Sequence, residues 1–233
     1  MTCVICSEAR RCVAAVALMV SAMLGSACAS APPVVQLLPA LDAQQLALQL
    51  EQREALQHPT RVVFDWAMTE QGVRASGQGV ARLEPAFKAR LDLFLGNGEG
   101  AGRAALVDDE LRLPLDLPPA VVPPPNLLWG VLGVFRPGLG TVLLGAERQT
   151  DGLTLRYALA NGEEVQYHLV EGRLVRIEVL QSGSVVQQVV LERDALGVPL
   201  EARFRDLVAV RELRLTRTDV QRTEPFPSDI WFP

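Results

Sequence analysis

Two periodicities divide the chain. From Asp42 to Gln57 the apolar positions Ala43, Leu46, Ala47 and Leu50 recur at i, i+3, i+4 and i+7, which is one helical face; Leu48 and Ala55 widen it. Asp42 reads as the N-cap and Gln45, three residues on, as its capping-box partner. The run is rich in good helix formers and stops at His58-Pro59, because a residue before proline is pushed out of the helical region. Beyond Pro59 the period is two. Phe64, Trp66 and Met68 alternate with Val63, Asp65 and Ala67. Leu91, Leu93 and Leu95 alternate with Arg90, Asp92 and Phe94, and Leu111, Leu113, Leu115 and Leu117 with Arg112, Pro114 and Asp116. Each run predicts a half-buried antiparallel strand, with Pro114 at an edge or bulge.

The second half is a series of hairpins. Turn signals at Asp151-Gly152, Asn161-Gly162, Glu171-Gly172 and Ser182-Gly183 separate the runs Leu153–Ala160, Glu163–Val170, Arg173–Leu180 and Val185–Glu192. Asn-Gly predicts a type I′ turn, which needs positive φ at both central residues. Ala195-Leu196-Gly197 makes the next turn, before strands near Leu200–Asp206 and Glu212–Val220. Connections this short force neighbours to pair, so the fold class is α+β, mainly β: a meander of about ten or eleven strands. Pro118-Pro119 and Pro123-Pro124-Pro125 interrupt it, followed by the run Asn126–Phe135 and the stop Arg136-Pro137-Gly138. Proline suits a helix start, and a short helix is expected over residues 125–135, apolar all round and unlike a surface helix. It either plugs the concave face of the sheet or presents Trp129 and its neighbours to lipid or cargo.

Composition narrows the class. The chain has 233 residues, 49% apolar and 21% charged, which suits a packed domain and excludes disorder. No apolar run reaches the roughly 18–20 residues of a membrane span. A net charge of −5 without a basic block argues against a dedicated nucleic-acid binder. The four cysteines, Cys3, Cys6, Cys12 and Cys28, all lie in the first 28 residues. There Arg10 and Arg11 precede a 13-residue apolar run, Cys12–Leu24, and then Gly25, Ser26 and Ala27. Residues 1–27 therefore read as an export signal. The segment resembles the bacterial lipoprotein signal, with Gly25 where the pattern has a leucine-like residue and Leu24 one place early. The resemblance implies cleavage before Cys28 and a covalent diacylglycerol and N-acyl lipid on its sulfur and amine. An ordinary secretory signal cleaved nearby is the alternative. One acyl chain anchors only marginally, whereas two or three hold permanently. In the lipoprotein pattern Ala29, where an aspartate would favour inner-membrane retention, implies the periplasmic face of the outer membrane. Residues 28–40 read as a tether and 41–233 as one domain. The leader contributes +1 (Arg10, Arg11, Glu8), leaving −6 on the chain from Cys28 onward.

Catalytic patterns are missing. His58 and His168 are far apart in sequence, no serine elbow or triad is marked, and no metal-ligand spacing occurs. Asp108-Asp109-Glu110 and Glu163-Glu164 read as solvated turns, and Gly96–Gly102 as a loop between strands. No enzyme activity, metal or cofactor beyond the lipid is expected. Lys88 is the single lysine, and Arg203, Arg205, Arg214 and Arg217 are assigned to the outward strand face, where they meet solvent or lipid headgroups.

The order of leader, tether, helix, strands, proline-rich loop with apolar helix, and long meander is similar to the LolA/LolB superfamily of bacterial lipoprotein carriers and receptors. The resemblance covers most of residues 40–233. It rests on that order, on Leu127-Leu128, Leu132-Gly133 and Arg136-Pro137-Gly138 ahead of the meander, and on the ending Glu224–Pro233. The lipid anchor makes the LolB-like branch the nearer one. The resemblance implies an incomplete antiparallel barrel with helices covering its concave face and a cavity suited to acyl chains. Candidate lining residues are Phe64, Trp66, Leu93, Leu95, Trp129, Leu132, Tyr157 and Tyr167, each of which could instead be ordinary core. The expected partners are the membrane, the acyl chains of lipoproteins or lipids, and a periplasmic carrier. The leading function is lipid or lipoprotein localisation. A periplasmic interaction or sensor module of the same fold and, more remotely, an envelope hydrolase are the alternatives.

Overall fold

Among the described residues thirteen strands form one sheet, and every neighbouring pair in it is antiparallel. A computed structural model describes residues 35–85, 87–115, 122–195 and 197–233. The leader, Cys28, the start of the tether and residues 116–121 lie outside them. The elements are β1 (Gln36–Leu37), α1 (Ala40–Glu54), β2 (Thr60–Glu70), β3 (Val73–Glu84), β4 (Lys88–Leu95), β5 (Gly100–Val107) and β6 (Glu110–Arg112). After them come α2 (Pro125–Val131), β7 (Val142–Gln149), β8 (Gly152–Ala158), β9 (Glu164–Val170), β10 (Arg173–Gln181), β11 (Ser184–Arg193), β12 (Pro199–Asp206) and β13 (Arg211–Arg222). A 3-10 turn, Ser228–Trp231, ends the chain. The strand order is β1-β7-β8-β9-β10-β11-β12-β13-β2-β3-β4-β5-β6, and β1 and β6 do not pair with each other, so the barrel is incomplete, as expected.

The strand count exceeds the expected ten or eleven for identifiable reasons. β3 has Ala75, Gly77, Gly79 and Ala81 at alternate positions, so it lacks an apolar stripe. It is small there because its neighbour is large. Gly79 pairs with Phe64 and Gly77 with Trp66. A Cβ on Gly79 would lie 2.3 Å from the Phe64 ring, and one on Gly77 1.9 Å from the Phe94 carbonyl oxygen. The Phe64 ring thus occupies the space that Gly79 leaves free, and the β4 backbone the space at Gly77. Gly100–Gly102, expected in a loop, belong to β5, and β1 takes the end of the expected tether into the sheet beside β7.

The turns also differ from the reading. Both central residues have positive φ at Glu171-Gly172 (50°, 73°) and Ser182-Gly183 (50°, 79°), the type I′ signature. At Asn161-Gly162 only the glycine does. There the Gly162 N–H donates to the Leu159 carbonyl and the Asn161 side chain accepts the Glu163 N–H at 3.1 Å, making a longer loop with a glycine bulge. Asn97-Gly98-Glu99 repeats the arrangement.

α1 starts two residues before the expected cap. Pro39 is the N-cap and no side chain caps it; Asp42 sits in the first turn, where a negative charge suits the helix dipole. α1 ends at Glu54, three residues short of Gln57. The second helix is also shorter than expected, ending at Val131 instead of residue 135, with Gly133 at φ 80° behind it. One face of the sheet, here the inner face, carries Phe64, Trp66, Leu155, Tyr167, Ile177, Phe204 and Leu215, and together with buried residues of both helices these form the apolar core.

Candidate functional site

α2 is the plug of the inner face. Leu127, Leu128, Trp129, Gly130 and Val131 are all buried. Trp129 donates its indole N–H to the Asp108 carbonyl at 2.8 Å and stacks edge-on against Phe87 at 5.9 Å. Gly130 gives room to Ile177 of β10, because a Cβ there would lie 2.1 Å from Ile177 Cδ1. The following chain is pinned by Arg136, whose guanidinium binds Asp109 at 2.8 Å and covers the Phe87 ring at 3.9 Å. Asp109 also accepts the Leu139 N–H. The turn is solvated at Asp108 and Glu110, as expected, while Asp109 anchors the α2–β7 connection.

Among the recesses around this plug, three share no lining residue with one another. The first, about 210 Å³, lies between the end of α2 and strands β2, β3, β12 and β13; Phe64, Ala81, Leu83, Leu132 and Leu215 line it. The second, about 90 Å³, is bounded by Trp66, Met68, Leu93, Leu128 and Leu213. The third, about 390 Å³, lies beside α1 and is lined by Ala47, Glu51, Phe135, Arg136 and Tyr157. The candidate residues are thus distributed: Phe64 and Leu132 in the first cavity, Trp66 and Leu93 in the second, Tyr157 in the third. Tyr167 and Trp129 are wholly buried, and Leu95 is half-buried; none of the three lines any of these cavities.

Aromatic packing holds the third cavity. Phe135 meets Tyr167 edge-on at 4.7 Å, and Tyr157 meets Tyr167 at 5.8 Å. Tyr167 donates its hydroxyl proton to the Arg136 carbonyl. The Tyr157 hydroxyl is buried with no hydrogen-bond partner among the described residues. Burial raises the phenol pKa of both tyrosines above the usual range, with the Glu51 charge adding to the effect at Tyr157.

Arg217 brings a charge to the apolar side. Arg217 was assigned to the outward face with Arg214, but it follows Leu213 and Leu215 at two-residue steps and lines the first cavity. Its Nη2 binds Asp194 at 2.5 Å, while Nη1 is buried and has no hydrogen-bond partner among the described residues. The strand register shifts directly after it; bulges re-aim side chains in this way. Sequence parity carried the signal, because residues 214 and 217 are an odd number of positions apart.

The outer face, by contrast, is ionic. Arg203, Arg205 and Arg214 engage Glu201 and Glu212, and Arg156 bridges Glu147 and Glu164. His168 sits between the Thr154 hydroxyl at 3.0 Å and the Glu178 carboxylate at 2.9 Å. The C-terminal segment crosses β4 and β5, with Trp231 buried and Arg90 donating to the Ile230 carbonyl at 2.6 Å. Among the described residues no cluster of three or more His, Cys, Asp or Glu side chains could hold a metal ion, and no helix is long and apolar enough to cross a membrane.

No protein-family model matches the sequence, and no curated protein matches it. Solved structures do. A LolA superfamily protein from Nitrosomonas europaea superposes with a TM-score of 0.54 at 15% identity, over 82% of this chain and 97% of that one. An outer membrane lipoprotein-sorting protein domain from Vibrio parahaemolyticus gives a TM-score of 0.45 at 8% identity, over 83% and 97%. The chain therefore has the fold of a LolA superfamily protein, the fold that its order of elements resembles.

Proposed function

We propose that this protein is a lipid-anchored protein of the bacterial envelope that holds acyl chains between its helices and the inner face of its sheet. The observation that carries the reading is the first cavity, an apolar space of about 210 Å³ left open beside a buried plug helix. The space opens to solvent at its rim and its lining is mainly apolar, so an apolar chain entering it would release poorly held water. The likeness in fold to a LolA superfamily protein supports the same reading. In it, Cys28 bears the lipid, the protein faces the periplasm from the outer membrane, and the bound chains belong to lipids or lipoproteins on their way to that membrane. The reading assigns no catalysis.

Native mass spectrometry of protein extracted from cells is expected to show a co-purifying acyl species. A consistently ligand-free protein would remove the reading. Replacing Cys28 by serine is expected to release the protein from the membrane fraction, and unchanged fractionation would remove the anchor.

A further inference from the structure

Surface turns are usually built from Gly, Pro, Asn, Asp or Ser, yet the turn between β12 and β13 reads Leu207-Val208-Ala209-Val210. Leu207 is 49% exposed, Val208 74% and Val210 68%. Val73, 73% exposed, opens β3 just after the β2–β3 turn. The two turns are joined, because the Gln71 N–H donates to the Val210 carbonyl. Single exposed aliphatic side chains are ordinary on a surface, whereas adjoining ones mark a contact site.

Val210 gives a second, independent sign. Its φ is 53°, and a β-branched residue in the left-handed region is an outlier. Glycine or asparagine holds that backbone more easily, so the aliphatic side chain stands there against the local preference. Such outliers gather at functional sites. The turn is also held in shape: Asp206 accepts the Val208 and Ala209 N–H groups at 3.0 and 2.8 Å, and the Leu207 N–H donates to the Val186 carbonyl.

Charge and size select the partner. The carboxylates flanking the turns are engaged, Glu70 by Arg211, Asp206 by those two amides and Glu212 by Arg205. Arg74 is exposed and forms no ion pair among the described residues. The tip is therefore aliphatic with a positive margin, on a chain whose net charge is −5. A stable protein interface takes roughly 20–30 residues a side, far more than two hairpin turns offer. A bilayer requires no matching shape, and its anionic headgroups attract arginine.

We propose that these two turns insert Val73, Leu207, Val208 and Val210 into a lipid bilayer, with Arg74 at the level of the headgroup phosphates. This contact goes beyond the acyl-binding reading and requires neither the cavity nor a lipid on Cys28.

The test uses the full chain with Cys28→Ser and vesicles of phosphatidylethanolamine and phosphatidylglycerol, with brominated or ordinary chains. Trp66, Trp129 and Trp231 are each no more than 4% exposed, so bromine in the bilayer is expected to leave the parent emission unchanged. Val208→Trp places a further ring at the tip. Its emission is expected to shift to the blue on ordinary vesicles and to be quenched on brominated ones. Quenching needs contact, so it reports the tip itself, whatever else brings the chain to the vesicle. A Val208→Trp chain that sediments with brominated vesicles without being quenched, or that does not bind them, overturns the proposal and leaves acyl binding standing. So does quenching that persists unchanged when Val73→Asp and Val210→Asn are added, because the new ring alone would then be inserting. In the parent, Val210→Asn suits the left-handed backbone and is expected to leave the unfolding midpoint the same or higher, while weakening vesicle binding about tenfold, the scale of one buried valine. Unchanged vesicle binding by Val210→Asn overturns the proposal. Photo-crosslinking from position 208 to a single protein, without lipid quenching, also overturns it and assigns the tip to a protein partner.

Discussion

Trp129 and Gly130 are adjacent and do opposite things. The first fills space and satisfies its indole N–H on Asp108; the second leaves space so that Ile177 can approach. Trp129→Phe keeps a ring in the core but strands the Asp108 carbonyl, and should cost about 1–3 kcal/mol in denaturant unfolding. Gly130→Ala drives a methyl into Ile177 Cδ1 and should cost a similar amount by overpacking. Ile177→Val, which removes that methyl, should recover part of the loss in the double variant, whereas two additive penalties would refute the contact. His168 adds a pH dependence. Burial lowers its pKa from the ordinary value near 6.5, against the opposing pull of Glu178. The unfolded chain then binds the proton first as pH falls below about 6.5, so this contribution favours folding above that pH and is lost between it and the lower folded value. His168→Gln should flatten the stability profile in that window; an unchanged slope would assign it elsewhere. These residue roles differ in how readable they were. The aromatic positions were visible as alternation, but the glycines that accommodate them carry no apolar signal, and Gly130 looked like any helix glycine.

At the scale of elements, α1 is fastened to the sheet by its last turn. Arg53 donates to the Gly172 carbonyl in the β9–β10 turn. Glu54 pairs with Arg193, whose other donors go to the Leu174 and Gly197 carbonyls, with both side chains of the pair about a tenth exposed. Breaking one side of a buried pair leaves an uncompensated charge, so Glu54→Ala should destabilise by about 3–5 kcal/mol. The double variant Glu54→Leu with Arg193→Met should recover most of that loss. If Glu54→Ala is silent by thermal unfolding, α1 is held by its apolar stripe alone. That stripe, Ala43, Ala47 and Leu50, was readable from helical spacing, and all three residues are buried. The latch was not, because it joins residues 139 positions apart. The hairpins of the second half were legible for the opposite reason. Their pairings are local and their turns announce themselves, even where Asn161-Gly162 chose a bulged loop over type I′.

The closure of β13 on β2 makes the two halves of the chain one sheet, and no local pattern foretells it, since their paired residues stand more than a hundred positions apart. That long-range ladder places Arg217 beside Phe64 and opens the first cavity between strands from both halves, which is why the site was only partly legible: its apolar residues could be nominated singly, but not their partition around α2. The cavity also sets stability against function. Its lining is mainly apolar and its rim is open, so water that enters finds few partners. Filling it should therefore stabilise the fold and exclude the ligand together. Ala81, wholly buried at the wall, is the position to use: Ala81→Leu should raise unfolding stability by about 0.5–2 kcal/mol, as cavity-filling changes commonly do, and abolish decanol binding. The parent chain should reach comparable stability only with ligand, gaining about 2.7 kcal/mol at a hundred times Kd. A loss of about 1–3 kcal/mol on Ala81→Leu, the mark of overpacking, would mean that the wall has no room there and that the space is not held open for a chain.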